Sequence, residues 1–323
     1  MNRLILFLIV FSISAIRLHA AANYFQMTDI GSSAEMIGRG KIAGFSRAAN
    51  GLFENPAALH RIDFMSVSLF TTTFMEEITY FSMAGAIKTP IGTFGAGSFI
   101  AGVPEIFSTF ENSDKEILPQ STFKYQNVML KAGYELSTLS YLHLGAAGIY
   151  YASGFTIENY RGKGYNIEAG GILDLGPLEV SAVGTNLIPF FKVNFESGGY
   201  EKLAAQLTLS GRYDLGIAEL FGQGQKIWNK PGILKSAGLN VPMFWNLLNL
   251  SGGYKEFYSL NDILRTYTLG LGLHLSGLDF NYAYERSDNP FFNHKHYFSI
   301  NVAFGGREPS MGVREVVTED EDE

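Results

Sequence analysis

The sequence predicts an all-β fold: a transmembrane antiparallel β-barrel of about fourteen strands, with an N-terminal plug segment. Three observations predict it. From Ile62 onward, stretches of about ten residues alternate between apolar and polar side chains and then turn. Glycine (36 of 323 residues) and aromatics (14%) are high together, while charged residues are only 17%, against the ~25% of an average soluble chain. Past the N-terminus no apolar run suits a spanning helix. The longest charge-free stretch, 236–254, carries Asn240, Pro242, Asn246 and Asn249.

Residues 1–22 read as a secretory signal. Arg3 supplies the positive start, Leu4 to Ile16 the apolar core, and Ala20-Ala21-Ala22 the small residues for cleavage. The mature chain is expected to begin between Ala21 and Asn23. The chain has no cysteine, which excludes disulfides, thiolate metal sites and cysteine nucleophiles. Residues 305–323 end in five acidic residues and read as an acidic periplasmic tail. No basic surface points to nucleic acid.

The barrel is expected over 62–304. Strands are predicted near 62–74, 77–88, 92–101, 123–135, 140–152, 164–174, 177–187, 200–213, 216–222, 233–241, 247–256, 263–275, 277–286 and 294–304. In one, Tyr267, Leu269, Leu271, Leu273 and Leu275 oppose Thr266, Thr268, Gly270, Gly272 and His274. Another sets Leu203, Ala205, Leu207 and Leu209 against Ala204, Gln206, Thr208 and Ser210. A soluble sandwich also alternates. Here the polar face is rich in Gly, Ser, Thr and Asn, aromatics gather at strand ends, and short connections alternate with longer ones. Of the connections, 102–122 is the longest, and the hairpin at Met75-Glu76 is an exception by being short. Inside lipid every backbone amide must pair, so the sheet is expected to close. On these faces Leu271→Arg is predicted to harm the barrel more than the inward Thr268→Arg.

Residues 23–61 do not alternate. They are dominated by small residues and are too few for an independent core, so they are expected to fill the lumen as a hatch. Their Gly-rich run, followed by Asn55-Pro56-Ala57-Ala58-Leu59 just before the first strand, resembles the hatch of the long-chain fatty-acid transporter (FadL-type) outer-membrane barrels. It is also similar to the PorV-type barrel used by a secretion machine. The resemblance implies fourteen strands, a plug, an outer-membrane location in a Gram-negative-type envelope, and assembly by the barrel-assembly machinery. Asn55, Pro56 and Ala57 match the family's Asn-Pro-Ala pattern and are expected to turn the chain into the first strand.

Several side chains are candidates for chemistry. Lys131, Glu135, Glu168, Arg212, Lys255, Asp279 and Glu285 are expected to face the lumen, where ion pairing between strands is the better reading than hydrolytic carboxylates. Ile106, Phe107 and Phe110 are expected in an external loop as first contacts for an apolar ligand. His294 and His296 share a strand face, but without a matching acidic set they do not read as a metal site. Gly38-Arg39-Gly40-Lys41 lacks both the preceding strand and the Gly-Lys-Ser/Thr ending of a phosphate loop. No catalytic grouping, metal site or cofactor is expected, and the chain does not read as an enzyme. The function expected is passive uptake of hydrophobic small molecules such as long-chain fatty acids, with membrane lipids and that ligand as partners. The alternative is a non-transporting PorV-type scaffold bound to secretion-complex proteins.

Overall fold

The computed structural model describes residues 27–74, 78–111, 115–155, 161–228, 230–259, 262–288 and 294–305. The predicted signal, the Met75-Glu76 hairpin tip and the acidic tail after residue 305 lie outside the described residues.

Residues 27–61 carry only short helical turns. These are the 3-10 turns η1 (Met27–Ile30) and η2 (Pro56–Arg61), and the α-helical turns α1 (Ala34–Gly38) and α2 (Gly51–Glu54). Ser33 caps α1, its hydroxyl accepting from the Met36 amide at 3.1 Å. Asn55 caps η2 by accepting from the Ala57 amide at 3.0 Å, with Pro56 in the first position, where its missing N–H is harmless. The Asn-Pro-Ala turn therefore starts a 3-10 turn instead of leading directly into the wall, and the first strand begins at Met65, not at 62.

The wall strands among the described residues begin with β1 (Met65–Phe74), β2 (Ile78–Thr89), β3 (Gly92–Glu111) and β4 (Ile117–Leu139). They continue with β5 (Leu142–Phe155), β6 (Arg161–Leu175) and β7 (Leu178–Thr185). Two short strands, β8 (Lys192–Phe195) and β9 (Tyr200–Lys202), form a hairpin laid on β6. The wall resumes with β10 (Gln206–Asp214), β11 (Glu219–Ile227), β12 (Leu234–Met243) and β13 (Leu248–Ser259). It ends with β14 (Asp262–Leu275), β15 (Leu278–Ser287) and β16 (His294–Phe304). Setting β8 and β9 aside leaves the fourteen antiparallel strands that the alternation predicts. The ring closes through β1 and β16, from Met65 opposite Phe304 to Thr72 opposite Tyr297, so neither terminal strand is an open edge.

Alternation sorts the side chains as expected on most strands. Leu269 (64% exposed) and Leu271 point outward, whereas Thr268 (3%) points into the lumen. Leu130 and Leu136 point out while Lys131 and Glu135 are buried. On β16, Phe298, Ile300 and Phe304 point out, and Tyr297, Ser299 and Asn301 point in. The connections at 90–91, 140–141, 176–177, 215–218, 244–247 and 276–277 share one rim, here the turn end. The opposite rim is the loop end.

Three expectations fail locally. Residues 102–122 are mostly strand, because β3 and β4 run on as a hairpin past their neighbours, pairing Ile106 with Phe123 and Phe107 with Thr122. Pro104 and Pro119 read as breakers. They are tolerated because, among the described residues, β2 stops pairing with β3 at Thr79 opposite Gly102 and β5 pairs with β4 only from Tyr125 onward, so neither Pro104 on β3 nor Pro119 on β4 has an outer ladder to interrupt. Next, Leu203, Ala204 and Ala205 are all buried, so the alternation read there is not a strand; β10 begins at Gln206. Finally, β13 and β14 extend until only 260–261 separates them, so that connection is short although it lies on the loop end.

Candidate functional site

Residues 27–61 lie inside the ring. Their hydrogen bonds reach strands all round it. The Ala34 amide donates to Ser299 of β16 (3.1 Å), Gly40 to Thr268 of β14 (3.2 Å), Ala43 to Gln223 of β11 (2.8 Å), and Ala49 and Asn50 to Ser66 and Ser68 of β1 (both 3.1 Å). The Asn55 side-chain amide donates to Ser181 of β7 at 2.9 Å. Glu54 holds the segment together. Its buried carboxylate accepts from the Ser32 hydroxyl (3.0 Å), the Gly44 amide (2.9 Å) and the Ser46 hydroxyl.

The inserted segment fills the turn half of the lumen and leaves the loop half open. The result is a cavity of about 640 Å³, within the range of small-molecule pockets. Asp29, Ile30 and Lys41 form its floor. Tyr80, Val103, Tyr125, Ile227, Leu234, Phe257 and Tyr297 make much of the wall apolar or aromatic, and Gln206, Gln225, Thr266 and Ser287 add polar points.

Backbone geometry delivers Lys41 to that floor. Helix α1 ends with Gly40 and Lys41 both at positive φ (83° and 57°), their amides donating to Ile37 O (3.0 Å) and Met36 O (2.9 Å). Lys41 adopts this left-handed conformation without being glycine, and the reversal presents its ammonium to Glu285 at 2.5 Å. Lys295 binds the other Glu285 oxygen at 3.0 Å. Lys255 is buried on the cavity wall, yet among the described residues no carboxylate lies within ion-pair distance of it. Burial pushes the Asp29 carboxyl up, against the pull of Lys255 and Lys41. Three ammonium groups thus face two carboxylates, and Lys255 is the cation with spare capacity for an anion.

The sequence-predicted candidates divide between the two halves. All seven lumen candidates lie on strand faces turned inward, but only Lys255 and Glu285 line the cavity. Lys131 pairs with Glu168, whose second oxygen accepts from Thr185 at 2.9 Å. Glu135 meets His143 at 3.6 Å, and Asp279 meets His274 at 2.8 Å. Arg212 bridges Glu179 (3.2 Å) and Glu219 (3.1 Å), and Glu179 also receives Arg61 of the inserted segment at 2.8 Å. Asn55 is fully buried against β6 and β7, as its contacts with Ser181, Gly171 O and Ala182 O require. Ile106 and Phe107 are not in a loop: they lie on the extended part of β3, away from the cavity lining, with Phe107 66% exposed. Phe110 is on the same strand opposite Leu118, and its side chain lies outside the described residues. His294 and His296 point outward and meet the Tyr284 and Tyr282 hydroxyls.

Sequence reading missed Asp29, Lys41, Lys295 and the tyrosines of the cavity. Lys295 and Tyr297 were legible, since both alternate with the apolar face His296, Phe298 and Ile300. Lys41 had no such signal, because its placement depends on the turn after α1.

No family model matches the chain, and no curated protein matches it in sequence. Solved structures do resemble it in fold. A deltaS2 mutant of the TodX monoaromatic hydrocarbon channel aligns with a TM-score of 0.59 at 12% identity, covering 86% of this chain and 98% of that one. The deltaS2S3 mutant of the same channel gives a TM-score of 0.58 at 12% identity, covering 84% and 97%. The chain therefore shares the architecture of an outer-membrane β-barrel channel.

Proposed function

We propose that this protein is an outer-membrane channel of the FadL type that admits hydrophobic small molecules, with the loop-end cavity as the first binding site. The observation that carries this reading is the cavity itself: a largely apolar and aromatic space above an inserted segment, with one buried ammonium, Lys255, that has no ion-pair partner among the described residues. The shared fold with a hydrocarbon channel supports it. The ligand class that fits is an elongated apolar molecule with an anionic end, such as a long-chain fatty acid. Its chain would lie against Tyr80, Phe257 and Tyr297, and its carboxylate would meet Lys255. Residues 27–61 then act as a hatch that must shift for the ligand to reach the turn end, on the periplasmic side.

Binding of a fluorescent long-chain fatty acid to the purified protein tests this. Lys255→Met should weaken binding about tenfold, as loss of a charge-assisted contact would. Deletion of residues 23–58 should raise single-channel conductance in planar bilayers while abolishing selective uptake. A protein that binds no apolar ligand, and whose deletion leaves conductance unchanged, would be a scaffold and not a channel.

A further inference from the structure

The outward face of the wall differs between its two rims. In the turn half of the described strands no lysine or arginine points outward. The side chains there include Leu136, Leu144, Leu175, Leu220 and Leu275, and the turn tips carry Ile91, Leu215, Ile217 and Trp245. In the loop half, Arg161, Lys163, Lys235, Arg265 and Arg286 all point outward. The clearest group lies on β14 to β16. Arg286 stands opposite Tyr267 on one side and His294 on the other. Arg265 is two residues from Tyr267 on the same face of β14.

Among the described residues neither guanidinium has an ion pair. Glu256, opposite Arg265 on β13, is engaged elsewhere: its carboxylate accepts from the Tyr254 hydroxyl and from the Lys235 amide, both at 3.0 Å. Asp288 donates its amide to Arg265 O at 3.0 Å, but its carboxylate forms no ion pair with that arginine. A row of rings lies alongside, with Tyr254 and Tyr267 5.7 Å apart and Tyr284 stacked on His294. Such rings mark the level of lipid headgroups.

We infer that Arg265 and Arg286, flanked by Tyr267 and His294, form a lipid-facing site for the phosphate groups of a phosphorylated glycolipid in the outer leaflet. An unpaired guanidinium at the edge of the hydrocarbon region is unfavourable until it meets an anion, and its planar fork matches phosphate bidentately. Among the described residues the outward cations stand on the loop rim alone, so the matching anion belongs to one leaflet only. In an envelope whose outer leaflet is glycolipid, the loop rim faces that leaflet. The inference rests on the membrane-spanning barrel and is independent of what crosses the lumen.

The test is native mass spectrometry of the full chain released from nanodiscs containing bisphosphorylated lipid A, its dephosphorylated form, or phosphatidylglycerol. The bisphosphorylated lipid should be retained about tenfold better than either other lipid, the ratio expected of one good charge-assisted contact. Arg265→Gln/Arg286→Gln should abolish that preference, while Lys255→Met inside the lumen should leave it intact. Arg286→Lys, which keeps the charge and removes the fork, serves if the double variant does not fold, and it should lower the preference. Equal retention of the dephosphorylated glycolipid or of phosphatidylglycerol, or a preference that survives Arg286→Lys unchanged, would overturn the proposal.

Discussion

The two halves of the lumen differ in one property of the wall: how much side chain it points inward. In the turn half the inward positions include Gly95, Gly133, Gly145, Gly170, Gly253 and Gly270, and the inserted segment presses its backbone and small side chains against them. A Cβ on Gly270 would stand 2.8 Å from the Gly38 Cα, and one on Gly145 would stand 2.3 Å from the Ala57 amide. In the loop half the inward positions include Tyr80, Tyr125, Gln206, Gln225, Phe257 and Tyr297, and the inserted segment supplies only the floor. A fourteen-strand ring is wider than its own side chains can fill. Glycine makes room for a third layer of chain. Aromatic residues line the space that this layer leaves open.

The largest effect that would break this comparison comes from one methyl-bearing side chain in the filled half. At Gly253 an added Cβ would stand 2.1 Å from the Gly40 amide and 2.4 Å from its Cα, backbone that cannot move aside without shifting the segment. Gly253→Leu should cost about 3 kcal/mol or more, at the upper end of overpacking penalties. Gly222→Leu, outward with nothing within 4 Å, should cost little. The temperature at which an unboiled sample loses its folded gel band measures both. Equal values would mean that the turn half is not tightly filled.

Arginine at two positions of one strand gives the next contrast. The alternation alone makes Thr268→Arg mild, because Thr268 points inward. The fold reverses that expectation. Thr268 donates to Gly38 O at 3.0 Å and accepts from the Gly40 amide at 3.2 Å, so an arginine there would enter packed backbone. Thr268→Arg should cost at least as much as the lipid-facing Leu271→Arg, about 2–4 kcal/mol near the midplane. Thr266→Arg, one inward position nearer the cavity, should cost only about 1 kcal/mol, the usual size for a single substitution. Folding titrations into lipid vesicles rank the three. If Thr268→Arg proves as mild as Thr266→Arg, the boundary between filled and open lumen is misplaced.

A smaller effect is expected at Asn55. Asn55→Ala strands the Ser181 hydroxyl and the Ala57 amide in a buried site and should cost about 2 kcal/mol. Asn55→Asp should recover only the cap on η2, since a carboxylate cannot donate to Ser181, Gly171 O or Ala182 O. Full recovery by aspartate would show that the cap alone matters.

The smallest effect concerns pH. His60 packs flat on His143, with ring centroids 3.7 Å apart, while its Nδ1 meets Ala57 O at 2.8 Å. Burial first, and the neighbouring Arg61 second, hold the His60 imidazole down to about 3 from its ordinary 6.5. The unfolded chain therefore binds a proton at His60 that the folded chain refuses anywhere between those values. Stability from this group is complete above pH 6.5 and declines as pH falls toward 3. The loss is about 1 kcal/mol for the first pH unit below 6.5. Thermal midpoints at pH 7.5 and 5.5 should differ less in His60→Gln than in the parent; an identical acid shift would remove His60 from the account.

Much of the fold was legible because period-two patterning is a local property. Residues 266–275 declare their two faces without reference to any partner, and a ring of such strands follows from the need to pair every amide in lipid. The candidate site was less legible. Lys255 and Glu285 could be placed in the lumen by parity, but parity gives a face and not a height along the strand. For that reason Lys131 and Glu135, which also point inward, could not be separated from the residues of the cavity. Ile106 and Phe107 were misplaced because no strand was read over 102–122, whereas β3 and β4 run on there as a hairpin past the ends of β2 and β5, which is a fact of neighbouring strands.

Fold class, the number of wall strands and the inward or outward sense of most side chains can be read from the chain without its partners. All three follow from alternation and from the cost of unpaired backbone. Where the inserted chain ends and the cavity begins is set by packing across the ring. That boundary depends on how glycines far apart in sequence, such as Gly38 and Gly270, come within contact of each other. The approach of Lys41 to Glu285 depends on it in the same way. Contacts between elements hundreds of residues apart depend on register and closure together, and neither is written in any local stretch of the chain.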